Sequence, residues 1–228
     1  MGAHARDKAE WGVPARKSTR WPALLAVAVA VALYVTLPAH LYYGQVWMLP
    51  ALEGALFVAL LMARQVEDEG YEWQRRFAIA LTAAMSAANL GSLALLVHSL
   101  LQNAPVHGHQ ITAANLIQWS AEIWLTNVIV FGLWYWELDR GGPVARTLER
   151  HRQPDFLFPQ MADPSCAPAD WAPNFFDYLY TSFTNAAAFS PTDTMPLTSL
   201  AKFLFMIQSF ASLTTGVLVI ARIANILP

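Results

Sequence analysis

Residues 24–37 read LLAVAVAVALYVTL, a run without a single charge. They sit inside a longer uncharged stretch, 21–43. A helix that crosses hydrocarbon needs about 20 mostly apolar residues, and this stretch supplies them. It lies too far from the first residue for an ordinary signal peptide. Leu37-Pro38-Ala39 is a poor cleavage site, so the stretch reads as a retained span. The pattern recurs at 46–63, broken only by Glu53, at 77–101, at 113–137, which ends in Trp134-Tyr135-Trp136, and at 200–227. A sixth run, 174–189, is short and carries Asp177 near its start.

Composition agrees with this reading. The chain has 228 residues, 56% hydrophobic and only 13% charged, and its mean hydropathy is +0.35. A soluble domain carries about 25% charged residues, and a disordered chain combines low hydrophobicity with high charge. Neither description fits. The formal net charge of −2 provides no basic field for nucleic acid. A lone cysteine, Cys166, excludes an intramolecular disulfide and a cysteine-based metal centre. The expected fold is an all-α integral membrane protein, a bundle of six transmembrane helices whose fifth is short and either crosses or re-enters.

The basic residues set the expected topology. Five lie in the tail 1–20, three between the second and third spans and four between the fourth and fifth segments, so twelve of the 14 Lys and Arg share one side. That side is assigned to the cytoplasm, with the N-terminus inside. Residues 1–20 form a basic tail, 21–137 a four-helix transmembrane region, 138–173 a cytoplasmic strap and 174–228 a hairpin. Pro154, Pro159, Pro164, Pro168 and Pro173 break helices and make the strap irregular, with Phe156-Leu157-Phe158 at the interface or under the helices. A crossing by 174–189 is favoured, because sixteen residues extend about 24 Å as a helix. It would put the turn 190–198 outside and the C-terminus inside. A re-entrant segment would leave the C-terminus outside.

Charged groups inside hydrocarbon cost about 2.5–3.5 kcal/mol each on insertion scales, so their positions are the best functional clue. Glu53, Glu122 and Glu137 are candidates, with Asp177 and Arg222 near the boundaries. Asn115, Gln118, Glu122 and Thr126 recur at helical spacing on one face of the fourth span. Thr82, Ser86, Asn89 and Ser92 form a stripe on the third, and Gln208, Ser212, Thr215 and Arg222 one on the last. Such stripes face protein or water. They are either hydrogen-bonding glue between helices or a polar path through Glu122, Gln118, Asn89, Gln208, Ser212 and Thr215. Glu122 stands out because glue needs no carboxylate. Glu137 and Arg222 are expected to pair at the cytoplasmic side, with Asp177 or Asp139 competing. His107 and His109 are too few for a metal site. No nucleophile elbow, Walker or dinucleotide motif occurs, so no catalytic residue, metal or cofactor is expected, and the chain does not read as an enzyme.

The segment Phe176-Asp177-Tyr178-Leu179-Tyr180-Thr181-Ser182-Phe183-Thr184-Asn185 runs through Ala186-Ala187-Ala188-Phe189-Ser190-Pro191-Thr192-Asp193-Thr194-Met195-Pro196 into a long apolar helix. This order resembles the pore helix, filter and inner helix of the potassium-channel pore-loop module, and Asp193-x-x-Pro196 matches the residues that follow its filter. The filter-like turn Ser190, Pro191, Thr192 and Asp193 departs from it. It has no glycine to aim carbonyls, and Pro191 fixes its own φ, so potassium-type selectivity is not expected. The Asp177–Thr184 segment and the Glu67-Asp68-Glu69-Gly70 turn also resemble a family of uncharacterised bacterial multi-pass membrane proteins, a domain of unknown function. That resemblance implies a bacterial inner-membrane protein with a degenerate pore-like hairpin. The expectation is a channel-like or transporter-like protein in the lipid bilayer, a homo-oligomer passing a small ion or solute. The alternative is a non-conducting scaffold or partner subunit.

Overall fold

A computed structural model describes residues 21–37, 51, 54, 71–101, 112–147, 153–168, 171–188 and 193–226. The chain is mostly helical there: α1 (Trp21–Thr36), α2 (Tyr71–Leu101), α3 (Ala113–Leu138), α4 (Phe175–Ala188) and α5 (Ser199–Ile226). Three stretches are long and apolar enough to cross a membrane, Arg75–Leu101, Ala113–Gly141 and Ser199–Ala221. The expected span at 46–63 with Glu53, the basic tail, His107 and His109 lie outside the described residues, Ala51 and Gly54 excepted.

Helix α3 is the hub, and α1, α2, α4 and α5 all pack on it. Thr112 caps its start, the hydroxyl accepting from the Asn115 amide at 3.2 Å, as an N-cap side chain satisfies an orphan donor. Its far end closes with the Asp139 amide donating to the Tyr135 carbonyl. The chain then turns through three left-handed residues, Arg140, Gly141 and Gly142 (φ 52, 86 and 99°). Glycine is required at 142, where a Cβ would stand 3.1 Å from the Glu137 carbonyl oxygen as well as in a strained conformation.

The strap is pinned rather than adrift. Strand β1 (Phe156–Leu157) pairs antiparallel with β2 (Met195–Pro196), with Phe156 opposite Pro196 and Leu157 opposite Met195. The Leu197 amide extends the ladder, donating to the Asp155 carbonyl at 2.8 Å. Phe156 and Phe158 are buried under the helices. Phe156 packs on Tyr135 and Phe205, with centroids 5.1 and 5.8 Å apart, and Phe158 meets Tyr178 edge-on at 5.3 Å. Further along, Asp163 accepts from the Ser165 hydroxyl and amide, which holds its carboxyl below the ordinary range.

The β1–β2 pairing brings the residues that follow 174–189 back to the strap. Helix α4 starts at the strap end, capped by the Asp177 carboxylate accepting from the Asn174 amide at 2.7 Å. It descends antiparallel to α3. Phe175 meets Trp136, Leu179 abuts Gly132, Ser182 bonds the Val128 carbonyl and Phe183 meets Trp124. Its 14 residues extend about 21 Å, short of the roughly 30 Å hydrocarbon core. Yet β2, which follows it in sequence, is hydrogen-bonded to the strap where α4 began. Within the bundle the chain therefore leaves the strap end along α4 and is back at that end by β2, and α5 starts from there. The physical reason is that backbone pairing to the strap and the Thr198–Asp155 bond (2.8 Å) fix the return, which a span-length argument does not register.

Candidate functional site

Four polar groups are built on this frame. The largest lies between α3, α4 and α5 and centres on Gln208, which has no exposed surface. Its Oε1 accepts from the Tyr135 hydroxyl (2.6 Å) and from Asn185 Nδ2 (2.8 Å). Its Nε2 donates to the Ser182 carbonyl and hydroxyl oxygens at 2.9 and 2.6 Å. Asn185 also donates to the Phe205 carbonyl and accepts from the Ser209 hydroxyl. One level away, Asn127 Nδ2 donates to Ser212 Oγ at 3.0 Å. Gln208 and Asn185 thus use all their amide atoms, so around them this part of the expected path is a closed network holding α4 against α3 and α5, while Asn127 Oδ1 at its edge is buried with no partner among the described residues.

Below the end of α4 lies a groove of 380 Å³ between α3 and α5. Ala186 and Ala187 roof it. Ile117, Ser120, Ala121 and Trp124 line one wall and Ser212, Thr215, Gly216, Val219 and Ile220 the other, so the lining is mostly apolar with three hydroxyls. It lies where α4 stops partway along α3 and α5, and among the described residues no element fills the space beyond it. The buried Ser120 hydroxyl has no hydrogen-bond partner among the described residues. The C-terminal end of a helix carries partial negative charge, and that of α4 is directed at this groove.

On another face of α3, Glu122 meets the end of α1. Its Oε1 accepts from Gln118 Nε2 at 3.0 Å and from the Thr36 hydroxyl at 3.1 Å. The residue is 7% exposed, and Oε2 is buried with no partner among the described residues.

At the strap end, fully buried Asp139 accepts from the Tyr178 hydroxyl (2.6 Å), the Asp155 amide (2.9 Å) and Arg140 Nε (3.3 Å). Arg146 Nη1 donates to the Trp136 and Asp139 carbonyls at 2.7 and 2.9 Å, satisfying the last carbonyls of α3. Its guanidinium stands 5.1 Å from the Tyr178 ring centroid, within cation–π range.

The predicted residues sort accordingly. Gln118 and Glu122 come together as expected, with Thr36 as an addition. Gln208 and Ser212 join the closed network, and Ser212 and Thr215 also line the groove. Asn89 is buried on α2 and belongs to none of these four groups. On the same helix Thr82 and Ser86 donate to carbonyls of their own helix, and Ser86 accepts from Trp134 Nε1 at 2.8 Å. The Glu137–Arg222 pair is excluded by register. Gln208 is level with Tyr135, and Arg222 lies 14 residues further along α5, about 21 Å away and in the direction opposite to Glu137. Buried Glu137 sits instead at the strap end, where its Oε2 and Arg75 Nε flank the same point beside Gly142, 3.3 and 3.6 Å from it. Asp177 caps its own helix. The Arg222 side chain and Ser190, Pro191 and Thr192 lie outside the described residues. Exposed Asp193 accepts from Thr194.

Sequence reasoning missed Tyr135, Ser182, Asn185, Asp155 and Arg146. The spacing of Tyr178, Ser182 and Asn185 on one face of an aromatic-rich helix was the available signal for α4. Nothing local marks Asp155. Compared with known proteins, the chain matches no protein family, no curated protein and no solved structure.

Proposed function

We propose that this chain is a multi-pass protein of the bacterial inner membrane and that α3–α5 form a re-entrant, pore-like unit through which a small cation passes. The observation that carries the reading is the half-length helix α4 returned to its starting end by the β1–β2 pairing, its negative end directed at the groove. Half-helices that end inside the bilayer serve ions in this way, because an unscreened helix terminus acts strongly in low dielectric. One such hairpin cannot enclose a pore, so the working form is a symmetric homo-oligomer. With the basic N-terminal tail and strap in the cytoplasm and a span at 46–63, the re-entrant hairpin makes five crossings, and the C-terminus is outside. Without filter glycines the path has no potassium-type carbonyl cage.

The closed network around Gln208 supports a second reading, a non-conducting scaffold or partner subunit, in which polar groups serve only to fix packing. Flux separates the two. Gly216 has open space where a side chain would go, so Gly216→Leu fills the groove without a clash. Reconstituted liposomes are expected to take up cations, and Gly216→Leu to abolish most of that flux while leaving the thermal midpoint unchanged. Silent liposomes with a stable monomer would instead establish the scaffold.

A further inference from the structure

We infer that Glu122, Thr36 and Gln118 form a binding site for a monovalent alkali cation. The inference deepens the reading above by naming a site for the ion, and it rests on that reading only for the low-dielectric surroundings.

Glu122 lies nine residues into α3, about 14 Å along its axis, and is itself buried, while Thr36 and Gln118 beside it are exposed. It has no cationic partner among the described residues. Its two hydrogen bonds both fall on Oε1, and Oε2 is buried and unpartnered. A negative charge left bare in such a place is strongly disfavoured. A small cation on Oε2 neutralises it directly.

The neighbours are suited to that role. Thr36 is the last residue of α1; its hydroxyl lies 2.6 Å from the Leu33 carbonyl and 3.1 Å from Glu122 Oε1, and with one proton it donates to one of them at a time, leaving lone pairs for a cation. The final carbonyls of a helix lack intrahelical partners and form its negative end. Gln118 presents a donor to Glu122, and rotation of its amide would present an oxygen instead. Carboxylate, hydroxyl, amide and helix-end carbonyl oxygens are the ligands hard cations take. A single carboxylate balances one positive charge, which selects a monovalent ion over calcium or magnesium.

The test is equilibrium binding of radioactive sodium to the purified full chain in lipid nanodiscs, with choline replacing sodium at constant ionic strength. One saturable site per chain is expected. Glu122→Gln should abolish it. Thr36→Val, which keeps the shape and removes one oxygen, should weaken it about tenfold, equal to about 1.4 kcal/mol. Thr36→Val also covers the case in which the Glu122 variant fails to fold. No saturable sodium binding by the wild type, or unchanged affinity in the Thr36 variant, overturns the inference. Binding without flux would sink the pore reading and leave this site standing. Flux with no sodium bound would do the reverse.

Discussion

Several buried polar side chains in this protein are held by partners that are distant in sequence. Tyr178 gives its hydroxyl to Asp139, 39 positions earlier, and its ring to Arg146. Removing the hydroxyl leaves a buried carboxylate short of one donor, which costs about 1–3 kcal/mol. Tyr178→Phe should therefore lower the thermal midpoint, and Asp139→Asn should lower it further, because the carboxylate also accepts from the Asp155 amide and Arg140 Nε. Gln208→Leu strands Tyr135, Asn185 and Ser182 together, and is expected to cost more than Ser209→Ala, which removes one half-exposed bond. Thermal unfolding in detergent checks both orders. At this scale the sequence was informative about which residues were out of place in hydrocarbon, since helical phase picked Gln118, Glu122, Gln208 and Ser212. It was silent about whom they meet, because partner choice depends on helix register across the bundle. The Glu137–Arg222 expectation shows the point: matching depth inferred from topology fails once the last helix runs the other way.

Helices followed from their sequences far better than the connections did. The apolar runs became α1, α2, α3 and α5 within a few residues, and the prolines made the strap non-helical. The β1–β2 ladder was not legible, since two-residue strands carry no periodicity and their pairing is imposed by tertiary contact. The short run at 174–189 became a helix of the length its sequence suggested, yet its destination was set by the strap. Close contact holds it there: a Cβ on Gly132 would lie 3.2 Å from the Leu179 backbone. Gly132→Leu is expected to force α4 away from α3 and to cost about 1–3 kcal/mol or more, visible as a lower thermal midpoint and as new protease cleavage in 171–188. Phe156→Ala removes the ring that joins strap, α3 and α5, at about 3–5 kcal/mol. Its distinguishing effect would be faster hydrogen exchange at the Leu197 amide.

For the whole molecule, the arrangement leaves α5 with one face built into the bundle and the opposite face bare. Phe203, Met206, Phe210, Leu213, Val217 and Ile220 are exposed along it, as expected where lipid or a neighbouring copy takes the place of water. Charge counting assigned the strap to the cytoplasm, but it could not tell five crossings from six, because the two differ only in where 193–198 returns. That return is the central claim, and the protein carries its own reporter. Cys166 is the lone cysteine, exposed on the strap, and Leu197 is exposed beside β2. Impermeant maleimide added to sealed vesicles of known orientation, with the native chain compared with a Cys166→Ser, Leu197→Cys variant, should label both cysteines from the same face. Labelling from opposite faces would mean that 174–189 crosses the bilayer and that the re-entrant hairpin does not exist.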